Sequence, residues 1–153
     1  MSRRKGIKRH DALKPLSRHH TLGLHIGLKL SRSGTEESKI TLKEIIADTK
    51  KFWSPGGEEH FREEEEIVLP VYAKYADINK PEIVDMLLEH VTIRSGMKQL
   101  LNDELTIEEM RNLGKLLQDH IRKEEQIIFP MIEKALPEIE LEKLAPYLHE
   151  HEE

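Results

Sequence analysis

The segment His60-Phe-Arg-Glu-Glu64-Glu-Glu-Ile-Val-Leu-Pro70 returns 60 residues further on as His120-Ile-Arg-Lys-Glu124-Glu-Gln-Ile-Ile-Phe-Pro130. Each copy sets a histidine four residues ahead of a glutamate, then an apolar run, then a proline. Four residues turn an α-helix through roughly 400°, so imidazole and carboxylate share one face, a turn apart. Such a pair is half of a transition-metal site. Two helices of this kind facing each other offer donors for two ions, and the chain reads as a metal-binding helical bundle.

Composition points the same way. A chain of 153 residues suits one domain with a real core. Only 5% of it is aromatic while 35% is charged, which favours amphipathic helices over a sandwich or barrel. The net charge of −5 is uneven. Arg3, Arg4, Lys5, Lys8 and Arg9 stand in the first ten residues without an acid, and the remainder carries 19 bases against 29 acids. No aromatic residue interleaves those early charges and the body is acidic, so no nucleic-acid partner is expected.

The absence of cysteine excludes disulfides, thiolate-ligated clusters, cysteine zinc sites and thiol nucleophiles. No apolar stretch approaches the ~20 residues of a membrane span, and the basic start lacks the apolar segment of a signal peptide. The expectation is a cytoplasmic protein with no membrane partner.

Residues 1–12 read as a basic, solvated arm, 13–135 as the bundle, and 136–153 as a short helix with an acidic tail. The first helix should open near Pro15, with Leu16, His20, Leu24 and Gly27 inward and Leu13 and Leu28 flanking. The second should begin near Ser38, break or kink at Ser54-Pro-Gly-Gly57, and resume from Glu58 through Tyr75. The third starts at Pro81 and turns Ile83, Met86, Leu87, His90, Ile93 and Met97 to one face. Thr106 and Glu109 form a capping box for the fourth. Its inner face comprises Met110, Leu113, Leu116, Leu117, His120, Glu124, Ile127, Ile128 and Met131, and Pro137 ends it. A fifth, short helix covers Ile139–Leu148. Short links make neighbours antiparallel, so the predicted architecture is all-α: an up-down-up-down four-helix bundle with a short C-terminal fifth helix.

Helical phase sorts the nine histidines. His20 lies between Leu16 and Leu24, and His90 among Met86, Leu87 and Ile93. His60 has Trp53 below it and Ile67, Val68 and Val71 above. His120 has Leu116 and Leu117 below it and Ile127 and Ile128 above. All four therefore point into the core, while His19 and His25 are expected partly exposed and His10, His149 and His151 fall in tails. In the two acidic runs, Glu64 and Glu124 share the histidine face. Glu63, Glu65 and Glu66 are expected in solvent, with Glu125 a secondary candidate.

One lone core histidine is usually just packed. Four of them, two with a glutamate at i+4, are a different matter, because two unpaired carboxylates in an apolar core are very costly and a metal charge removes that cost. The expected metal ligands are His20, His60, Glu64, His90, His120 and Glu124. Two carboxylates can bridge two ions while each ion takes two imidazoles, leaving positions for water, hydroxide or a small ligand. Nitrogen and oxygen donors without sulfur suit iron, manganese or zinc. An unsaturated dinuclear site of this type most often means redox iron, with zinc and manganese open.

The layout His20 … His60-x-x-x-Glu64 … His90 … His120-x-x-x-Glu124 resembles the hemerythrin-like (HHE cation-binding) family. So do Pro15-Leu-Ser-Arg-His-His20 at the start and the Glu-Glu-x-Ile-x-[Leu/Phe]-Pro that follows each pair, and the likeness covers about residues 13–135. The resemblance implies a four-helix bundle around a non-haem di-iron centre bridged by Glu64 and Glu124. Two departures separate the chain from the oxygen-carrying hemerythrins. Arg94 stands where they have a second helix-three histidine, and the helix-four carboxylate is offered at i+4. The set of four histidines and two glutamates is more like the di-iron domain of iron–sulfur-cluster repair proteins, which handle nitric oxide, but their cysteine-bearing module is missing here.

The expected function is therefore a cytoplasmic di-iron protein that binds or senses O2 or a related diatomic such as NO. The alternatives are a di-iron enzyme reducing NO or peroxide, a factor aiding iron–sulfur cluster repair, and an iron storage or delivery protein. Arg94 is expected to stabilise a bound anion, to neutralise a bridging carboxylate, or to make a surface salt bridge.

Overall fold

Proline and capping residues set the helix boundaries. The computed structural model describes residues 8–150, and among these it contains helices and no strand. A 3-10 turn at Asp11–Leu13 leads into α1, Lys14–Ser31, which has Pro15 in its first turn. The second helix, α2 (42–72), starts at Leu42 rather than Ser38. Thr41 accepts from the Glu44 backbone N–H while the Glu44 side chain accepts from that of Thr41, a reciprocal cap that fixes the start. Helix α3 is Pro81–Leu101. Helix α4 (107–135) opens with the same reciprocal cap, between Thr106 and Glu109. A short α5, Glu138–Leu144, continues as a 3-10 turn at Ala145–Tyr147.

Going round the bundle, α1 packs on α4 and α2, and α3 on α2 and α4. The closest approach is between α1 and α4. A Cβ built on Gly114 would lie 2.5 Å from the Gly27 carbonyl oxygen, so both glycines are needed for the backbones to meet. No helix among the described residues is long and apolar enough to cross a membrane.

The chain bends at Ser54, whose backbone is extended (φ −120°, ψ 115°) ahead of Pro55. Two further irregularities fall in the repeated motifs. Glu64–Val68 and Glu124–Ile128 are single π-turns, in which the Leu69 and Phe129 N–H groups reach back to the Glu64 and Glu124 carbonyls. The next residues, Pro70 and Pro130, have no N–H to donate, and their rings would strike the carbonyl four residues earlier. A wider turn accommodates both problems.

The extra residue in each π-turn rotates everything after it by roughly 100°. Val68, Leu69 and Tyr72 are consequently buried while Ile67 and Val71 are only partly so. On α4, Ile128, Phe129 and Ile132 are buried, whereas Ile127, expected inside, is 44% exposed. On α1 the inward face is Leu16, His19, His20, Gly23, Ile26, Gly27 and Leu30. Leu24 is half-buried and Leu28 is exposed, because the glycines draw that face toward α4.

The core has two apolar ends. One gathers Leu13, Leu16, Tyr72, Ile83, Phe129 and Ile132, and is closed by Leu141, Leu144 and Leu148 from the C-terminal turns. The other gathers Ile26, Leu30, Ile45, Ile93, Met97 and Leu117 with Phe52, Trp53 and Phe61. Between them lies one polar layer.

The basic arm ends packed against the bundle. Residues 1–7 lie outside the described residues, but Arg9, expected in solvent, is buried. Its guanidinium donates to the Glu125 carbonyl at 2.6 Å and to Glu133 at 3.2 Å, and stands over the Phe129 ring at 5.3 Å.

Candidate metal centre

The polar layer consists of His20 from α1, His60 and Glu64 from α2, His90 from α3, and His120 and Glu124 from α4. All six are buried, none more than 4% exposed. Two sets of donor atoms, His20/His60/Glu64/Glu124 and Glu64/His90/His120/Glu124, each lie within 4.8 Å of one another. They share both carboxylates.

The imidazoles present Nε2 to that centre. His20 Nε2 is 2.9 Å from Glu124 Oε1, and His60 Nε2 is 3.0 Å from Glu64 Oε2. His90 Nε2 lies 3.1 Å from Glu64 Oε1 and 3.2 Å from Glu124 Oε2, bridging the two acids. His120 Nε2 lies 3.0 Å from Glu124 Oε2.

An outer ring holds the Nδ1 atoms. His20 Nδ1 donates to Glu125 at 2.6 Å, His90 Nδ1 to Glu65 at 2.6 Å, and His120 Nδ1 to Glu89 at 2.8 Å. Ionised carboxylates only accept, so each Nδ1 must carry its proton and Nε2 is left to face inward. His60 is the exception, for its Nδ1 meets Nδ1 of His19 at 2.9 Å.

These outer residues are where sequence phase fell short. Glu65, expected in solvent, is drawn in by His90. Glu63 is buried as well and accepts from His149 at 2.9 Å. His151 lies outside the described residues. His19, expected half exposed, is 4% exposed and stacks on Phe52 at 5.1 Å. Arg94 touches neither central carboxylate. It donates to Glu65 at 2.8 Å and lies over Phe61, so it supports the partner of His90. Glu89 could not be found by phase, since it adjoins His90 in the chain yet serves His120 across the bundle.

Replacing Glu89 by alanine should weaken metal affinity by roughly 10- to 100-fold, as removal of such outer partners typically does. Competition against a chelator of known affinity would measure it.

The charges are strongly coupled. Burial opposes charge on His20, but hydrogen bonds to Glu124 and Glu125 outweigh it and raise the group to about 9. Burial is likewise overcome at His90, raised to about 11 by Glu124, Glu64 and Glu65. His120 is raised to about 9 by Glu124 and Glu89 against its burial. Burial and the neighbouring Glu124 charge push Glu64 up to about 8. Glu124 goes the other way: despite burial, His120, His20 and His90 hold it well below the usual carboxylate range. Glu125, also against its burial, is held at about 2 by His20, Ser17 and Arg9.

The donor set fits a cation better than it fits its own protons. Glu64 Oε1 and His120 Nε2 are buried and make no hydrogen bond. Each nevertheless sits 3.0–3.1 Å from an opposite partner, His90 Nε2 or Glu124 Oε2, outside hydrogen-bonding alignment. Two buried donors left without a hydrogen bond in this layer are what a metal ion there would satisfy. Four imidazoles and two carboxylates, with no sulfur, suit iron, manganese or zinc.

No curated protein and no solved structure matches the chain. The family model of the hemerythrin HHE cation-binding domain matches residues 11–132, which include all six central residues. That match spans most of the chain, carries the repeated motif and coincides with the buried histidine–carboxylate layer, and the chain accordingly belongs to the hemerythrin HHE cation-binding domain family.

Proposed function

We propose that the protein is a non-haem di-iron protein that binds or senses O2 or a related diatomic such as NO. The observation that carries this reading is the pair of donor sets sharing Glu64 and Glu124. In this reading His20 and His60 would hold one ion and His90 and His120 the other, with Glu64 and Glu124 available to both. An iron pair bound there supplies one-electron redox chemistry and coordination positions open to a small ligand.

The protein supplies the rest. The two central carboxylates would offset the charge of two cations in a buried layer. Glu125, Glu65 and Glu89 keep one proton of His20, His90 and His120 on Nδ1, so Nε2 is the atom that each of these three rings turns to a cation once its second proton is displaced. The apolar clusters above and below the layer limit competition from water. Arg94 keeps Glu65 ionised and in place to accept the His90 proton rather than meeting a ligand directly. A chain without cysteine is compatible with a reducing, cytoplasmic setting.

The test is to load the protein with Fe(II) without air and follow its optical spectrum as O2 is admitted and withdrawn. A visible band that appears with O2 and vanishes on its removal is the expected result. Irreversible oxidation would instead favour a catalyst that reduces NO or peroxide.

A further inference from the structure

The two sides of the candidate centre are walled differently. On the His20/His60 side, the rings of Phe52 and Trp53 close over the site, Phe61 stacks on His90 behind them, and the gap left, which reaches His120, is only 10 Å³. On the His90/His120 side, a cavity of 190 Å³ opens between α3 and α4. Its floor includes His120 and Glu124, each 1% exposed, and the Nε2 atom of His120 has no hydrogen-bond partner. Its neck is apolar: Met86, Ile128 and Ile127, the last turned outward by the π-turn. Its mouth carries Glu82, Asp85 and the ion pair Lys123–Glu89.

We propose that this cavity is the binding chamber by which small uncharged molecules reach the centre from the His90/His120 side, while its acidic mouth turns anions away. The proposal rests on the metal-centre reading above and names the side and the ligand class. Size sets the upper bound. An apolar cavity of about 150 Å³ accepts benzene or xenon, so this one holds a diatomic with room to spare. Charge sets the selection. Three carboxylates at the rim face a single ammonium, and any anion that passes them must then lose its water in the apolar neck. A neutral diatomic meets neither barrier. The near-absence of space on the opposite side makes the route one-sided, although the donor set is nearly symmetric.

The experiment has two parts. Crystals of the metal-free protein under xenon should show a xenon atom between Met86 and Ile128, absent in Ile127→Trp, a substitution at a half-open position that fills the neck. Stopped-flow mixing of the Fe(II)-loaded proteins with NO should show association slowed about tenfold or more in Ile127→Trp, with iron content unchanged. The double variant Glu82→Lys/Asp85→Lys should bind azide about tenfold faster than the parent and NO at the parental rate.

Ile127→Trp that holds iron and takes NO as fast as the parent overturns the proposal, as does xenon settling only elsewhere. If the parent protein retains no iron, the metal-centre reading fails. The xenon map then decides the cavity alone, and an empty cavity overturns the proposal.

Discussion

Alanine at Glu124 is expected to abolish retention of both metal ions, whereas alanine at the adjacent Glu125 leaves two sites that fill more weakly. The two residues are chemically identical neighbours, so the contrast depends only on where the backbone aims them. Glu124 Oε1 and Oε2 together lie within 3.2 Å of His20, His90 and His120. Its loss removes a donor from both shared sets at once. It also leaves imidazoles in a buried layer with Glu64 as the sole central acid, and breaking buried ion pairs in this way costs roughly 3–5 kcal/mol.

Glu125 acts from outside, through His20 Nδ1, Ser17 and Arg9. Its loss frees the His20 ring and should reduce affinity by roughly 10- to 100-fold. Metal content after gel filtration, read beside a melting curve, separates the two. Equal metal retention in both variants would contradict the assignment of Glu124.

Metal binding should release four protons near neutral pH, one each from His20, Glu64, His90 and His120, whose values of about 9, 8, 11 and 9 all lie above 7. The cations must displace them, about two for each ion, so the affinity for each ion should climb on the order of a hundredfold per pH unit between pH 6 and 7, and somewhat less as Glu64 loses its proton near pH 8.

The metal-free fold responds in the opposite sense. Groups raised on folding bind more protons folded than unfolded, so their contribution to stability falls as pH rises. For the three imidazoles that contribution is complete below the ordinary 6.5, and it is lost as pH climbs through about 9 and, at His90, about 11. Glu64 adds a loss between the ordinary 4.5 and about 8. Glu124 and Glu125, both lowered, are already ionised across this range and oppose none of it. The metal-free protein should therefore soften from pH 6 to pH 10 while the loaded protein holds, and the gap between their melting temperatures should widen. Proton release into a weak indicator buffer, with paired melting curves, would check both. A pH-independent affinity with no proton released would contradict the coupling.

The six central residues were legible because each needs only the helical repeat. His60 with Glu64, and His120 with Glu124, are one turn apart, while His20 and His90 sit between apolar neighbours a turn away. The capping box at Thr106 and the bend at Ser54 likewise depend on a few adjacent residues, whereas the second helix, expected from Ser38, starts at Leu42 because Thr41 and Glu44 cap it.

Two kinds of feature did not read through. The π-turns change the phase downstream of the motif, which is why Ile127 faces out and Ile132 faces in. Pro70 and Pro130, at matching positions, were the available signal. The outer ring depends on how one helix slides against another. Glu89 beside His90 reaches His120, Glu65 beside Glu64 reaches His90, and Arg9 crosses to Glu125. No spacing along one helix encodes such contacts between two.

In the proposed di-iron form, two ions lie in this layer and share Glu64 and Glu124. Anomalous diffraction at the iron edge from crystals of protein loaded with Fe(II) under anaerobic conditions tests it most directly. Two peaks are expected, one beside His20 and His60 and the other beside His90 and His120, with both carboxylates between them. A single peak, or peaks away from these six residues, would rule that form out.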